Sequence, residues 1–358
     1  MPPAKTLQHL LGIDVPIVLG PFGGLSSVAL TAAVSERGGL GSFGLYGYSA
    51  ERIRATAEQL RAATARPFAL NIWLPTGDEV TPADVDLGPS LAALAPLFEA
   101  AGVDVPEPPP RFVPPLAEQV EAVMDAAPAV LSVVFGVPDR SLIDAAHQRG
   151  IRVVGTATTV AEAVALEAGG VDAVVATGAE AGGHRVSFLR APERSLVGTF
   201  ALLPQVADAV RVPVIAAGGI ADRRGAAAAF ALGASGVQVG TAFLRTSQSA
   251  ATPAHRQAIG TSADTATVLT RAMSGRLARG IPNRAMREIE TAGRILPFPA
   301  QNWLTGVFRS AAGLASDGDL VSLWAGQAAG LAHLDDAGAV FDEIRAGIRD
   351  GGAPGNKA

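Results

Sequence analysis

IRVVGTATTVAEAVALEAGGVDAVVAT, residues 151–177, holds two short β-branched runs separated by an alanine-rich stretch. IRVVGTA and VDAVVAT are apolar almost throughout, as strands buried on both faces are. Between them Thr158–Ala168 opens on a capping threonine and stops before a glycine pair, which predicts one helix. A strand, a helix and a strand in so few residues make a βαβ unit, whose two strands must run parallel.

The unit repeats in both directions. VPIVLG at 15, LGSFG at 40, PFALNIW at 67 and AVLSVVF at 129 come before it, and VPVIAAGG at 212 and SGVQVGT at 235 come after. Further helices are predicted over Ser26–Arg37, Ser49–Ala63, Pro138–Arg149 and Asp222–Leu232, each opening on a cap-type residue or proline. Eight strands in a row predict an α/β fold of the TIM (β/α)8 barrel type, with an open doubly wound sheet as the alternative.

Two spacings break the rhythm. Leu74–Pro115 is a proline-rich excursion (VPEPPPRFVPP) with one predicted helix near Ser90–Ala101, and TGAEAGGHRVSF at 177–188 follows the sixth strand. Both leave the C-terminal ends of strands, the face on which barrels carry their active sites. The expected organisation is a barrel over residues 1–250 with an insertion at about 74–115. A smaller, mainly helical cap over 251–350 on the same face and a flexible tail at 351–358 complete it.

Composition narrows the function. Hydrophobic residues make up 49% and charged ones 17%, which suits a buried parallel sheet and excludes a disordered chain. The net charge of −5 and the lack of a Lys/Arg run argue against nucleic-acid binding. Cysteine is absent, which removes disulfides, thiolate nucleophiles and cysteine-based metal sites. The five histidines share no spacing, so no metal site is expected. No segment reaches ~18 uninterrupted apolar residues and no export signal is visible, so a soluble, cytoplasmic protein without a membrane partner is expected.

The candidate site residues follow from position. Gly218 and Gly219 after the seventh strand, with Gly240 and Thr241 after the eighth, either make tight turns or offer backbone N–H groups to a phosphate, helped by the helix start at Asp222. No GxGxxG follows the first strand; LGPFGG there is an open glycine turn that a flat ligand can approach. A phosphorylated planar cofactor fits these features, and FMN fits best. Asn71 near the end of the third strand either satisfies a loop or bonds a ligand edge. In the sixth loop, Gly182 and Gly183 let the chain fold close to a ligand and present His184, an imidazole suited near neutrality to proton abstraction or oxyanion stabilisation.

Taken in order, AEAGGH, MSGRLARGIPN at 273–283, WAGQ at 324–327, PFALNIW, AAGGIAD and VQVGTAF resemble class I nitronate monooxygenases, formerly 2-nitropropane dioxygenases, over nearly the whole chain. The resemblance implies an FMN-bound TIM barrel that oxidises alkyl nitronates with O2 to a carbonyl compound and nitrite. It implies FMN contacts from Asn71, Thr177, Gly182, Gly219, Gln238, Val239, Gly240 and Thr241, with Gly20, Pro21 and Phe22 lining the flavin. It makes His184 the catalytic residue, and Ser274 and Gln327 cap residues closing over the cofactor. The family usually shows APM where Gly20, Pro21 and Phe22 stand, Gln where Thr177 stands and Gly where Val186 stands, departures that bear on the substrate. The expected partners are the nitronate and O2, with a homodimer also in view. An NAD(P)H-dependent flavin reductase of enoyl-thioester or quinone type, and a barrel that only stores FMN, are the competing functions.

Overall fold

The computed structural model describes residues 6–348. Eleven strands lie among them: β1 (Ile17–Leu19), β2 (Gly41–Gly44), β3 (Phe68–Trp73), β4 (Val130–Val134), β5 (Arg152–Ala157), β6 (Ala173–Thr177), β7 (Gly183–His184), β8 (Val214–Ala217), β9 (Gly236–Val239), β10 (Val268–Thr270) and β11 (Ala278–Gly280). Eight of them form one parallel sheet in the order β1-β9-β8-β6-β5-β4-β3-β2. Leu19 N–H donates to the Leu40 carbonyl and Leu40 N–H to the Ile17 carbonyl, both at 2.9 Å, and these bonds join β1 to β2. The sheet is thereby closed. All eight strands read from the sequence are present, and the open doubly wound sheet is excluded.

Alternate residues of each strand face opposite ways, and the two faces build different cores. Ile17, Leu19, Val153, Val174 and Ala176 pack outward against the helices. Val18, Val154, Ala173, Val175, Ile215 and Ala217 fill the barrel with Leu7 and Leu11 of a short helix, Leu7–Leu11, that plugs the strand-start end. The predicted helices are seen within a residue or two, at Val28–Glu36, Ala50–Ala63, Arg140–Gln148, Val160–Gly169 and Arg223–Ala231. Ser27, Ser49, Thr159 and Asp222 cap four of them by accepting from first-turn N–H groups.

Packing also links the insertion to the segment after residue 250. A second core joins the insertion helix Gly88–Ala100 to the helices Arg284–Ala292 and Ala300–Leu314, so the insertion and the cap form one body. The final helix, Ala337–Arg345, instead packs on Val28–Glu36 and Arg223–Ala231 through Val340, Phe341 and Ile344. A (β/α)8 barrel needs an eighth helix between its seventh and first. Only the four-residue helix Thr241–Leu244 directly follows β9, so the chain builds the cap first and returns to fill that place. The tail expected at 351–358 lies outside the described residues.

Candidate active site

Three sequence-distant segments meet over the C-terminal strand ends. Gly183 and His184 pair antiparallel with Arg279 and Ala278, so the β6 loop and the MSGRLARG segment share one small sheet, β10-β11-β7. Trp324 bridges Gly280, Gln327 N–H donates to the Glu180 carbonyl at 2.9 Å, and Gly326 N–H donates to Thr241 Oγ1 at 2.9 Å. The WAGQ segment thus ties the β6 loop to the end of β9. Beneath it the buried Arg185 guanidinium donates to the carbonyls of Gly178 (2.6 Å) and Thr177 (3.2 Å), and the Glu180 carboxylate accepts from Thr199 N–H and Oγ1, each at 2.9 Å.

These segments roof a cavity of about 370 Å³. That size suits a small ligand site. Gly20, Pro21, Phe22, Asn71, Thr177, Gly182, Gly183, His184, Gly218, Gly219, Gln238, Gly240 and Thr241 all line it. Three other expected residues do not. Val239 is buried in the sheet, and its carbonyl accepts from Gly20 N–H at 2.9 Å. The Gln327 side chain is exposed, while its neighbours Gly326 and Ala328 line the wall. Ser274 is buried behind the imidazole, with its Oγ 2.8 Å from His184 Nε2. Asn71 Nδ2 donates to the Ser132 Oγ (2.9 Å) and carbonyl (3.2 Å) on the neighbouring strand β4, not to a loop, and the residue lines the cavity.

The Ser274 hydroxyl holds the imidazole: its Oγ lies 2.8 Å from Nε2 and 3.2 Å from the Arg276 carbonyl, and it accepts from Arg276 N–H at 3.3 Å. Trp73 meets the ring edge-on at 4.9 Å between centroids, and Trp324 lies 5.4 Å away. Burial, then the positive charges of Arg276 and Arg309, push the His184 pKa down to about 3. The titration near neutrality expected from the sequence is corrected: a ring flanked by two indoles and near two guanidiniums favours its neutral form.

Asp222 corrects a second expectation. Its carboxylate accepts from Arg224 N–H (2.9 Å) and Gly225 N–H (3.2 Å), so the helix after β8 satisfies its own first turn and does not present it to an anion. The helix Thr241–Leu244 has no such side-chain cap at Gly240. Gly218 and Gly219 sit at φ of +99° and +74°, a left-handed pair that turns the chain sharply at the cavity wall.

Tyr46, Trp73, Val134, Thr156, Asn302, Arg309 and Trp324 also line the cavity and were not singled out from the sequence. Tyr46 and Thr156 stand at or just past the ends of β2 and β5, where the strand-end rule applied to every strand would have found them. Asn302 and Arg309 lie on the cap helix Ala300–Leu314, which no local pattern places over the barrel mouth.

The sequence matches the model of the nitronate monooxygenase family over residues 4–344. The chain belongs to the nitronate monooxygenase family and is an oxidoreductase. It is 38% identical over 346 residues to a probable nitronate monooxygenase of Staphylococcus aureus (strain JH9), covering 94% of this chain and 95% of that one. Among solved structures, a nitroalkane oxidase from Streptomyces ansochromogenes shares 35% identity with a TM-score of 0.85, covering 95% and 96% of the two chains. FabK from Thermotoga maritima shares 30% identity with a TM-score of 0.74, covering 95% of each. The barrel and its cap are thus common ground for this nitronate monooxygenase family member and both solved structures. No described helix is long and apolar enough to cross a membrane.

Proposed function

We propose that the cavity binds FMN and oxidises alkyl nitronates with O2 to a carbonyl compound and nitrite. The observation that carries this is the make-up of one cavity wall. Glycine-rich strand ends at β1, β8 and β9 line a cavity of about 370 Å³ together with the His184 imidazole from the β6 loop and the Arg309 guanidinium from the cap helix Ala300–Leu314. The wall fits a flat, phosphorylated group. A Cβ on Gly20 would lie 3.1 Å from Gly240 Cα, so β1 and β9 meet without side chains between them. Gly218, Gly219, Gly240 and Thr241 would take the phosphate through backbone N–H groups, chiefly at the uncapped Gly240–Thr241 turn. Asn71, Thr177, Gln238, Gly182 and Gly183 would hold the ring system, with Gly20, Pro21 and Phe22 along its edge.

When bound, FMN supplies the redox chemistry, taking electrons from the nitronate and passing them to O2. The chain's own residues do the rest. His184, held at Nε2 by Ser274, offers its other ring nitrogen to an acidic C–H, or the ring dipole to an ionised substrate. Trp73 and Trp324 flank the imidazole with apolar surface. Phe22 and Val186, both on the cavity wall, narrow the space left for the alkyl chain.

The protein is expected to purify yellow, with about one noncovalent flavin per chain released by heat and running as FMN on chromatography. FAD, or no flavin retained after reconstitution, would contradict the phosphate assignment.

A further inference from the structure

Arg309 is the only permanently charged side chain among the residues lining the cavity. All its hydrogen bonds go to neutral acceptors: one guanidinium nitrogen donates to Ser322 Oγ at 2.9 Å, and the other to the Asn302 carbonyl (2.9 Å) and Oδ1 (2.8 Å). Nε is buried with no partner at all. The nearby Arg276 is different, because Asp78 (2.8 Å) and Glu79 (2.6 Å) balance its charge. No described carboxylate balances Arg309. Tyr46, which accepts from Asn302 Nδ2 at 3.1 Å, cannot do so either: burial pushes its phenol up to about 12, and it stays neutral. Burying a cation without a counter-charge is costly, and a fold that tolerates it gains when an anion enters.

We propose that Arg309 is the specificity residue of this cavity, recognising a planar anion that carries two oxygens on one atom, with Asn302 holding the guanidinium in place. This rests on the reaction proposed above, in which that anion is the nitronate. A carboxylate has the same shape and charge, and propanoate copies ethyl nitronate without being oxidisable. A guanidinium with free N–H groups matches such an anion better than it matches a neutral amide.

The test is calorimetric binding of propanoate and of neutral propanamide to the flavin-loaded protein. Arg309→Gln is expected to weaken propanoate by at least about tenfold and to change propanamide by less than about threefold, with flavin content and Tm retained. Arg309→Lys, which keeps the charge, should lose less. Asn302→Asp keeps the arginine but places a carboxylate against it, and is expected to show the same selective loss; it decides the matter if Arg309→Gln does not fold. Propanoate binding unchanged in both variants, equal loss of both ligands, or a wild type with no preference for propanoate would overturn the proposal. Oxidation is scored separately. Arg309-dependent propanoate binding without ethyl nitronate oxidation would refute the nitronate assignment alone, whereas nitronate oxidation with an unchanged KM in both variants would refute Arg309 alone.

Discussion

His184→Asn is expected to fold and keep its flavin while losing about tenfold in activity on neutral nitroalkanes, since a ring whose pKa is pushed down to about 3 is a weak base and gives less than the ~100-fold of a base poised near the working pH. Turnover of preformed ethyl nitronate should fall less, because the amide still donates a hydrogen bond to an ionised substrate. The His184 environment adds a pH prediction. A histidine whose pKa is depressed to about 3 is already unprotonated throughout the neutral range, so lowering the pH from 9 to 5 does not charge it. The kcat/KM profile for nitronate should therefore carry no ionisation from this residue near 6.5, and wild type should prefer preformed nitronate to its neutral parent. A limb near pH 6.5 that vanishes in His184→Asn would show a ring titrating as free imidazole does. Equal losses on both substrates would assign His184 to positioning, and no loss on either would make it structural.

The second large effect is expected at the seam between the β6 loop and the WAGQ segment. A Cβ on Gly182 would lie 2.5 Å from the Ala325 carbonyl carbon and 2.6 Å from Gly326 N. Both are backbone atoms, with no flexible end to give way. Gly182→Ala must push the two segments apart, and His184, Trp324 and Thr241 move with them. Most bound flavin and at least about tenfold in kcat/KM should be lost while the barrel stays folded, since a displacement near 1 Å can cost that much. Gly183→Ala provides the comparison. Gly183 has φ of +77° but nothing within 4 Å of its added Cβ, so that change costs only backbone strain, about 1–2 kcal/mol. Flavin content and kcat/KM measured on both variants separate the effects, and equal behaviour would mean that the seam is not tight.

The barrel was legible because its strands are buried on both faces and need near-continuous apolar runs, as 151–177 shows. The glycine turns and His184 were legible because barrel chemistry gathers at C-terminal strand ends. What could not be read was everything set by the cap's return path. Ala337–Arg345 has an ordinary amphipathic pattern, and nothing local says that it fills the barrel's eighth helical position after the 92 residues between Leu244 and Ala337. Arg309 and Asn302 likewise reach the cavity only because Ala300–Leu314 folds over it. The charge state of His184 is hidden for the same reason: it depends on Trp73, Trp324, Arg276 and Arg309, which arrive from four other segments. The role of Asp222 is legible, since an aspartate at an N-cap spends its carboxylate on the helix's own first turn.

Oxygen uptake by the purified protein with ethyl nitronate as the sole added substrate, and nitrite assayed in the same vessel, tests the central claim most directly. Oxygen consumption with matching nitrite formation and no requirement for NAD(P)H is the predicted result. No oxygen uptake with nitronate, together with NADH oxidation in its absence, would contradict it.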